Sequence, residues 1–231
     1  HNKIESIATD ALGVCLGLDQ LPEHWLESYA VVDRRISSYM KELDRVAKLL
    51  SNLNIPLVAL KNSGITRGLY PYYGACPMGD MDVLVKKEDY SDAKRLLIDD
   101  GYIFGNRNFM EKAFYKKLSG GEPLWFELLV RSVDGRWISP DQEPGTDELI
   151  ESSVAINGSD VRILSPEHNL LQVCLHTAKH SFVRAPGFRL HTDVDRIVHE
   201  TDLDWILFKE MVSDLQVKTA AFFSLALASD L

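Results

Sequence analysis

The segment Gly79-Asp80-Met81-Asp82-Val83-Leu84-Val85 constrains this chain more than any other stretch. Side chains on a strand alternate between its faces, so Asp80 and Asp82 share one face while Met81, Val83 and Val85 point into a core. Two carboxylates at the mouth of a buried strand repel each other unless a cation lies between them. Mg²⁺ is the hard cation that suits one or two carboxylates together with phosphate oxygens, and Mn²⁺ can substitute. The alternative is a solvated Asp-x-Asp turn beside a strand. The apolar Val83-Leu84-Val85 run directly behind the acids favours the first reading.

The elements around this segment read as a mixture of helices and strands. Residues 23–52 form one long helix, with apolar residues at Ile36, Met40, Leu43, Val46, Ala47 and Leu50. Asn52 and Asn54 suit its end, and Pro56 opposes continuation. Ile55–Leu60 is a buried strand. A polar turn, Lys61-Asn62-Ser63-Gly64, leads into a short helix over Ile65–Tyr70. The turn-rich loop Pro71–Gly79 follows, then the strand Met81–Val85. A helix over Glu88–Asp100 stops at Gly101. Strands are expected at Tyr102–Phe104, Ala113–Lys117 and Leu124–Arg131, and a loop over Asp134–Gly145. Ser165-Pro166-Glu167 opens a helix, with Ser as cap and Pro at the first position. From there to Leu231 the pattern is helical with one break at Ala185-Pro186-Gly187. The fold class is therefore α+β. It divides into an N-terminal helical segment (1–54), a mixed core (55–164) and a C-terminal helical subdomain (165–231).

Three further groups bear on the acid pair. The turn Lys61–Gly64 would offer free backbone N–H groups and a positive dipole end at a helix N-terminus, a good seat for phosphates, with Lys61 adding charge. It is not a Walker loop, because the spacing of that motif is absent; the plain alternative is an ordinary strand-to-helix turn. A two-metal site wants a third carboxylate. Glu127, alone within the apolar run Leu124–Val130, is the natural candidate, since burying it unpaired would be costly. Otherwise it lies on the solvated face of an edge strand. His176 and His180 share a helix face four residues apart, with Lys179 beside them. No third zinc ligand accompanies them. His176 reads either as a satisfied core histidine or as part of a face that looks across a cleft, with Lys179 and His180, toward a nucleotide. Asp193 could orient one of these groups, and Tyr72 or Tyr73 stands where it could touch a nucleobase.

Composition excludes some functions. The formal net charge is −9 over 231 residues, which opposes general nucleic-acid binding, because that rests on Lys and Arg neutralising phosphates. Cys15, Cys76 and Cys174 are few and widely spaced, so neither a disulfide framework nor a zinc site is indicated. No signal peptide or bilayer-spanning run is found, and a reducing cytoplasm is the expected compartment. The chain opens on His1 rather than Met and closes within an apolar helical pattern, so more chain is expected beyond Leu231.

These motifs together resemble the polymerase-β-like nucleotidyltransferase superfamily, and within it a bacterial family of uncharacterised nucleotidyltransferases. The residues that carry the likeness are Leu60-Lys61, Leu69-Tyr70-Pro71, Pro77-Met78-Gly79-Asp80-Met81-Asp82-Val83-Leu84-Val85, Phe126-Glu127, and Leu175-His176-Thr177-Ala178-Lys179-His180. Arg189-Leu190, Asp193 and Leu203-Asp204-Trp205 extend it, so it runs from about residue 30 to the end. The sequence departs from the family at Asn62, where a Gly is usual, at Cys76, where an Arg is usual, and after Glu127, where Leu128-Leu129 replaces the usual x-His.

The resemblance implies a polymerase-β-like core and a defined chemistry. Asp80 and Asp82 would ligate Mg²⁺ on an NTP, with ATP the expected one. Glu127 would help to hold a second metal and activate an acceptor hydroxyl. Asn62, Ser63 and the backbone at Gly64 would hold the β- and γ-phosphates, with Lys61 close by and Lys179 and His180 opposite. An unidentified acceptor would then take the nucleoside monophosphate as pyrophosphate leaves. A catalytically weak relative acting as a nucleotide- or protein-binding regulator, and a phosphotransferase on the same fold, are the alternatives.

Overall fold

A computed structural model describes residues 4–107, 110–133, 138–183 and 188–229, with the side chains at 106, 107, 110–112, 180–183, 188 and 189 outside the description. The first element is helix α1 (Ile4–Leu16), which the sequence pattern did not single out. It packs on helix α2 (Glu23–Ser51). Ile36, Met40, Leu43, Val46, Ala47 and Leu50 are all buried along one side of α2, as their spacing predicts. The chain leaves this helix through Asn54, whose φ of 59° lies in the left-handed region that Asn tolerates. Ile55 N–H then donates back to the Leu50 carbonyl at 3.0 Å, closing the helix end.

Among the described residues, seven strands form one mixed sheet: β1 (Leu57–Leu60), β2 (Met81–Leu84), β3 (Ile103–Arg107), β4 (Met110–Lys117), β5 (Pro123–Leu129), β6 (Val154–Ala155) and β7 (Val161–Ile163). Their order across the sheet is β3-β4-β5-β2-β1-β7-β6. The central strand β2 runs antiparallel to β1 and parallel to β5. Both faces of this centre are covered, which is why β1 and β2 read as continuous apolar runs. Met81, Val83 and Val85 join Leu57 and Ala59 in the main core with α2. Leu84, Val58 and Leu60 face a smaller cluster with Leu149 and Ile150 of α5 (Thr146–Glu151). The strand pair β6/β7 and helix α5 were absent from the sequence reading.

Helix α3 (Lys61–Leu69) begins directly at Lys61. The expected free turn Lys61–Gly64 is therefore the first turn of the helix itself. Gly64 explains the close fit: a Cβ there would lie 2.4 Å from the Ala59 carbonyl oxygen of β1. Helix α4 (Tyr90–Asp99) lies beside α2. A charged cluster ties α2 to the far sheet edge. Arg45 binds both Glu42 and Asp100, Lys116 donates to the same two acids, and Tyr102 donates to Glu42 at 2.9 Å.

Helices α6 (Pro166–Val183), α7 (Phe188–Glu200), α8 (Trp205–Asp214) and α9 (Lys218–Ser229) follow. The expected break at 185–187 lies outside the described residues. Two more breaks separate α7 from α8 and α8 from α9. The first is set by Asp204, whose carboxylate accepts from the N–H groups of Ile206 (2.9 Å) and Leu207 (3.0 Å) as an N-cap. At the second, Gln216 adopts a left-handed φ of 57°. Among the described residues, no helix is long and apolar enough to cross a membrane.

Candidate active site

The candidate site lies where β1 ends and β2 begins. Leu60 and Asp82 are register partners across β1/β2, and Asp82 and Glu127 are register partners across β2/β5. Residues paired in this way point to the same face, with neighbouring strands about 4.8 Å apart. Asp82 and Glu127 therefore sit side by side. Asp80 immediately precedes β2 and is half-buried.

Lys61 brings the three acids under one charge. Its Nζ donates to Asp82 Oδ1 at 2.6 Å, and the two side chains retain 22% and 7% exposure. Burial alone would push the ammonium toward its neutral form. The carboxylates of Asp82, Glu127 and Asp80 overcome that and hold Lys61 above its ordinary value. Glu127 is thus part of the acidic edge in electrostatic terms. Among the described residues, however, no group of three His, Cys, Asp or Glu side chains is arranged to hold a metal ion. The positive charge at this edge is the lysine ammonium.

The backbone that presents Lys61 is unusual. Lys61 has φ 50°, a left-handed conformation that costs a non-glycine residue about 1–2 kcal/mol. Two bonds hold the neighbourhood in place. The Lys61 N–H donates to Gln172 Oε1 of α6 at 2.8 Å, and Gln172 Nε2 donates to the Ser132 carbonyl beyond β5 at 3.3 Å. Gln172 is buried and links the lysine to the segment after Glu127's strand. Sequence reading missed it. Its one signal is a lone amide within Leu170-Leu171-Gln172-Val173-Cys174-Leu175.

Other candidates have defined places. Ser63 is fully buried, and its Oγ accepts the Asp82 N–H at 2.9 Å, so the hydroxyl fixes the acid's backbone. Asn62 is half-buried beside it, and Gly64 packs against β1. Cys76 is wholly buried in the main core. Along α6, His176 and Lys179 follow Gln172 by one and two turns on the same side of the helix. Both are half-buried. The His180 side chain lies outside the described residues. Asp193 is fully buried on α7, far from an exposed helix face, and accepts from Tyr70 Oη at 3.0 Å. The Arg196 guanidinium stacks 4.0 Å above the Tyr70 ring. Asp193 thus anchors the end of α3 to the helical tail.

The model that defines one family of proteins, described as uncharacterised nucleotidyltransferases, matches residues 5–231. The chain belongs to this family. A nucleotidyltransferase by membership, it is read as a transferase enzyme. Two solved structures share its fold. One is an antigenic nucleotidyltransferase-like protein from Paracoccidioides brasiliensis, 16% identical, covering 82% of this chain and 93% of that one, with a TM-score of 0.54. The other is ANT(2″)-Ia in complex with adenylyl-2″-tobramycin, 14% identical, covering 78% of this chain and 98% of that one, with a TM-score of 0.52. At such identities the likeness is one of fold. A search of curated proteins found no match.

Proposed function

We propose that this nucleotidyltransferase moves a nucleoside monophosphate from an Mg²⁺-bound NTP, ATP in the first instance, to an acceptor that its sequence does not name. The observation that carries the proposal is the acidic edge itself: Asp80, Asp82 and Glu127 all bear on one point, marked by the Lys61 ammonium. The donors are hard carboxylate oxygens, and Mg²⁺ characteristically takes only one or two of them, completing its shell with phosphate oxygens and water. Asp80 and Asp82 fit that demand without a three-ligand cage. Bound there, the ion would supply charge stabilisation to the triphosphate.

The rest is the work of the chain's own side chains. Asp82 is held by Ser63 through its N–H, so its carboxylate is fixed in position. Lys61, long enough to turn from Asp82 to a phosphate oxygen, would add positive charge there. Glu127, beside Asp82, is the group for the acceptor's proton. Positioning and charge neutralisation would then account for most of the rate, as in phosphoryl-type transfers generally.

The test is incubation with α-³²P- and γ-³²P-labelled ATP and Mg²⁺, followed by separation of products, for wild type and for Asp80→Ala/Asp82→Ala. Transfer of the α-label with pyrophosphate release in wild type only is the expected result. Transfer of the γ-label instead would assign a phosphotransferase. Neither transfer nor ATP binding in wild type would remove the enzymatic reading.

A further inference from the structure

Glu143 is a buried carboxylate in a stretch, Asp134–Gly145, that reads as loop in the sequence. A charge so placed is costly unless it is paired and hydrogen-bonded. Glu143 is both. The Arg131 guanidinium binds its Oε1. Ser132 Oγ donates to Oε2 at 3.0 Å, and the Val133 N–H donates to the same oxygen at 2.7 Å. The local chain aims the side chain. The 3₁₀ turn Pro140–Gln142, capped by Ser139, ends directly before it. Thr146 Oγ1 then closes the segment by donating to the Val130 carbonyl at 2.6 Å.

The Val133 N–H and the Ser132 carbonyl belong to one planar trans peptide, so they point in opposite directions. Glu143 holds the first, and Gln172 Nε2 donates to the second at 3.3 Å. Paired with a guanidinium, the carboxylate is an acceptor only. It therefore turns the peptide N–H toward itself and the carbonyl toward α6. The carbonyl in turn takes the NH₂ of the Gln172 amide, which leaves Oε1 for the Lys61 N–H at 2.8 Å. With the peptide reversed, Gln172 would set its NH₂ against the Lys61 N–H, donor to donor. Ser132, Pro144, Leu171 and Gln172 line one crevice too narrow for a water molecule, so solvent does not replace a lost partner there.

We propose that Glu143 is a positioning residue for nucleotidyl transfer: its carboxylate fixes the orientation of the Ser132–Val133 peptide, and through Gln172 the placement of Lys61 on Asp82. The donor and acceptor roles leave each link one partner, from a loop carboxylate to the left-handed backbone of Lys61 and the ammonium it carries. The consequence for the rate rests on the nucleotidyl-transfer reading. The consequence for the Lys61 backbone does not.

The test therefore has two arms. The first is amide hydrogen exchange, read residue by residue by NMR, in wild type, Glu143→Ala and Glu143→Gln. In Glu143→Ala the Lys61 amide should exchange at least tenfold faster than in wild type, while the amides of β1 and β2 keep their wild-type rates. Glu143→Gln keeps an oxygen for Ser132 and Val133, and Arg131, with 36% side-chain exposure, can turn to water. This variant should hold the Lys61 rate within about threefold of wild type. An unchanged Lys61 rate in Glu143→Ala overturns the proposal. So does equal quickening across the sheet, or a Gln variant as fast as the Ala variant. The second arm is transfer of the α-³²P label from ATP by Glu143→Ala, Gln172→Ala and the double variant. Glu143→Ala should lower kcat at least tenfold. Because Glu143 acts through Gln172, the double variant should be no more than about twofold slower than Gln172→Ala alone. Losses that multiply, as two separate structural defects would give, overturn the proposal. If wild type transfers no label, the nucleotidyl-transfer reading fails by itself, and the exchange arm still decides whether Glu143 positions Lys61.

Discussion

Replacing Lys61 by Met removes the charge that holds the acidic edge together while keeping a long unbranched side chain and the same left-handed backbone. The backbone penalty is then common to both proteins, and the difference reports the ion pair. Breaking a buried pair by deleting one partner costs about 3–5 kcal/mol. Lys61 keeps 22% exposure against 7% for Asp82, so solvent relieves part of that, and about 2–3 kcal/mol is expected. For a chain of this size that corresponds to a fall in Tm of roughly 5–10 °C. The pH dependence has a definite sign. Because Lys61 is held above its ordinary value, its contribution is fully present below that value and is lost only as pH rises through the raised one. The difference between wild type and Lys61→Met should therefore be flat from pH 6 to pH 9. Magnesium supplies the second measurement. An ion that binds only the folded state stabilises it by about 2.7 kcal/mol at a hundred times its Kd. In wild type it must first displace Lys61; in Lys61→Met it enters a site with uncompensated carboxylates. Saturating Mg²⁺ should thus raise Tm more in the variant than in wild type. Thermal melts monitored by circular dichroism, with and without Mg²⁺, read both effects. A loss below 1 kcal/mol, or an equal Mg²⁺ response in the two proteins, would refute the reasoning.

Other outcomes follow from neighbouring contacts. Gln172→Ala frees the strained Lys61 N–H and the Ser132 carbonyl at once, so kcat for label transfer should fall at least tenfold with stability lowered by about 1–3 kcal/mol, whereas Gln172→Glu, which keeps the acceptor for Lys61, should recover part of the rate. Gly64→Ala forces a methyl against the Ala59 carbonyl, and urea unfolding should show a loss of about 1–3 kcal/mol or more. Asp100 is held below the usual carboxylate range, first by its bond from Arg45 and then by Lys116. Its contribution is present above the unfolded value and lost as pH falls through the folded one, so acid melts below about pH 4 should be steeper in wild type than in Asp100→Asn.

The legible parts of this chain were those where local pattern and tertiary packing agree. Residues of α2 repeat at helical spacing and are buried on that side. The acid-x-acid strand announced itself because its apolar residues are covered on both faces. The turn at Lys61–Gly64 was misread for a physical reason. Gly and Asn score as loop residues, but Gly64 is there to let α3 lie against β1, a reason visible only once the strand is in place. The strands β6 and β7 are two and three residues long, too short for alternation to register; pairing with β1 decides β7, and pairing with β7 decides β6. Ser63 is assigned to the phosphates by the family resemblance alone. That it accepts the Asp82 N–H depends on a register no local pattern encodes.

The role of the helical tail shows most clearly why the candidate site could not be read from one motif. Lys61 pays a conformational penalty of about 1–2 kcal/mol at φ 50°, a conformation that persists only where surrounding contacts over-determine it. Its side chain is held by Asp82, 21 residues later, and its N–H by Gln172, 111 residues later. Asp193, in the next helix, holds Tyr70 at the other end of α3, so this helix is gripped at both ends from the tail. A tail that only covered the sheet would need apolar residues at these positions. Buried amides and carboxylates directed at α3 instead make the placement of Lys61 depend on α6 and α7. Deleting either grip should therefore loosen the site before it unfolds the sheet. Hydrogen exchange in Asp193→Ala or Gln172→Ala should quicken first at residues 61–70, while the amides of β2 and β5 stay protected; uniform quickening across the sheet would mean that the tail contributes only to global stability.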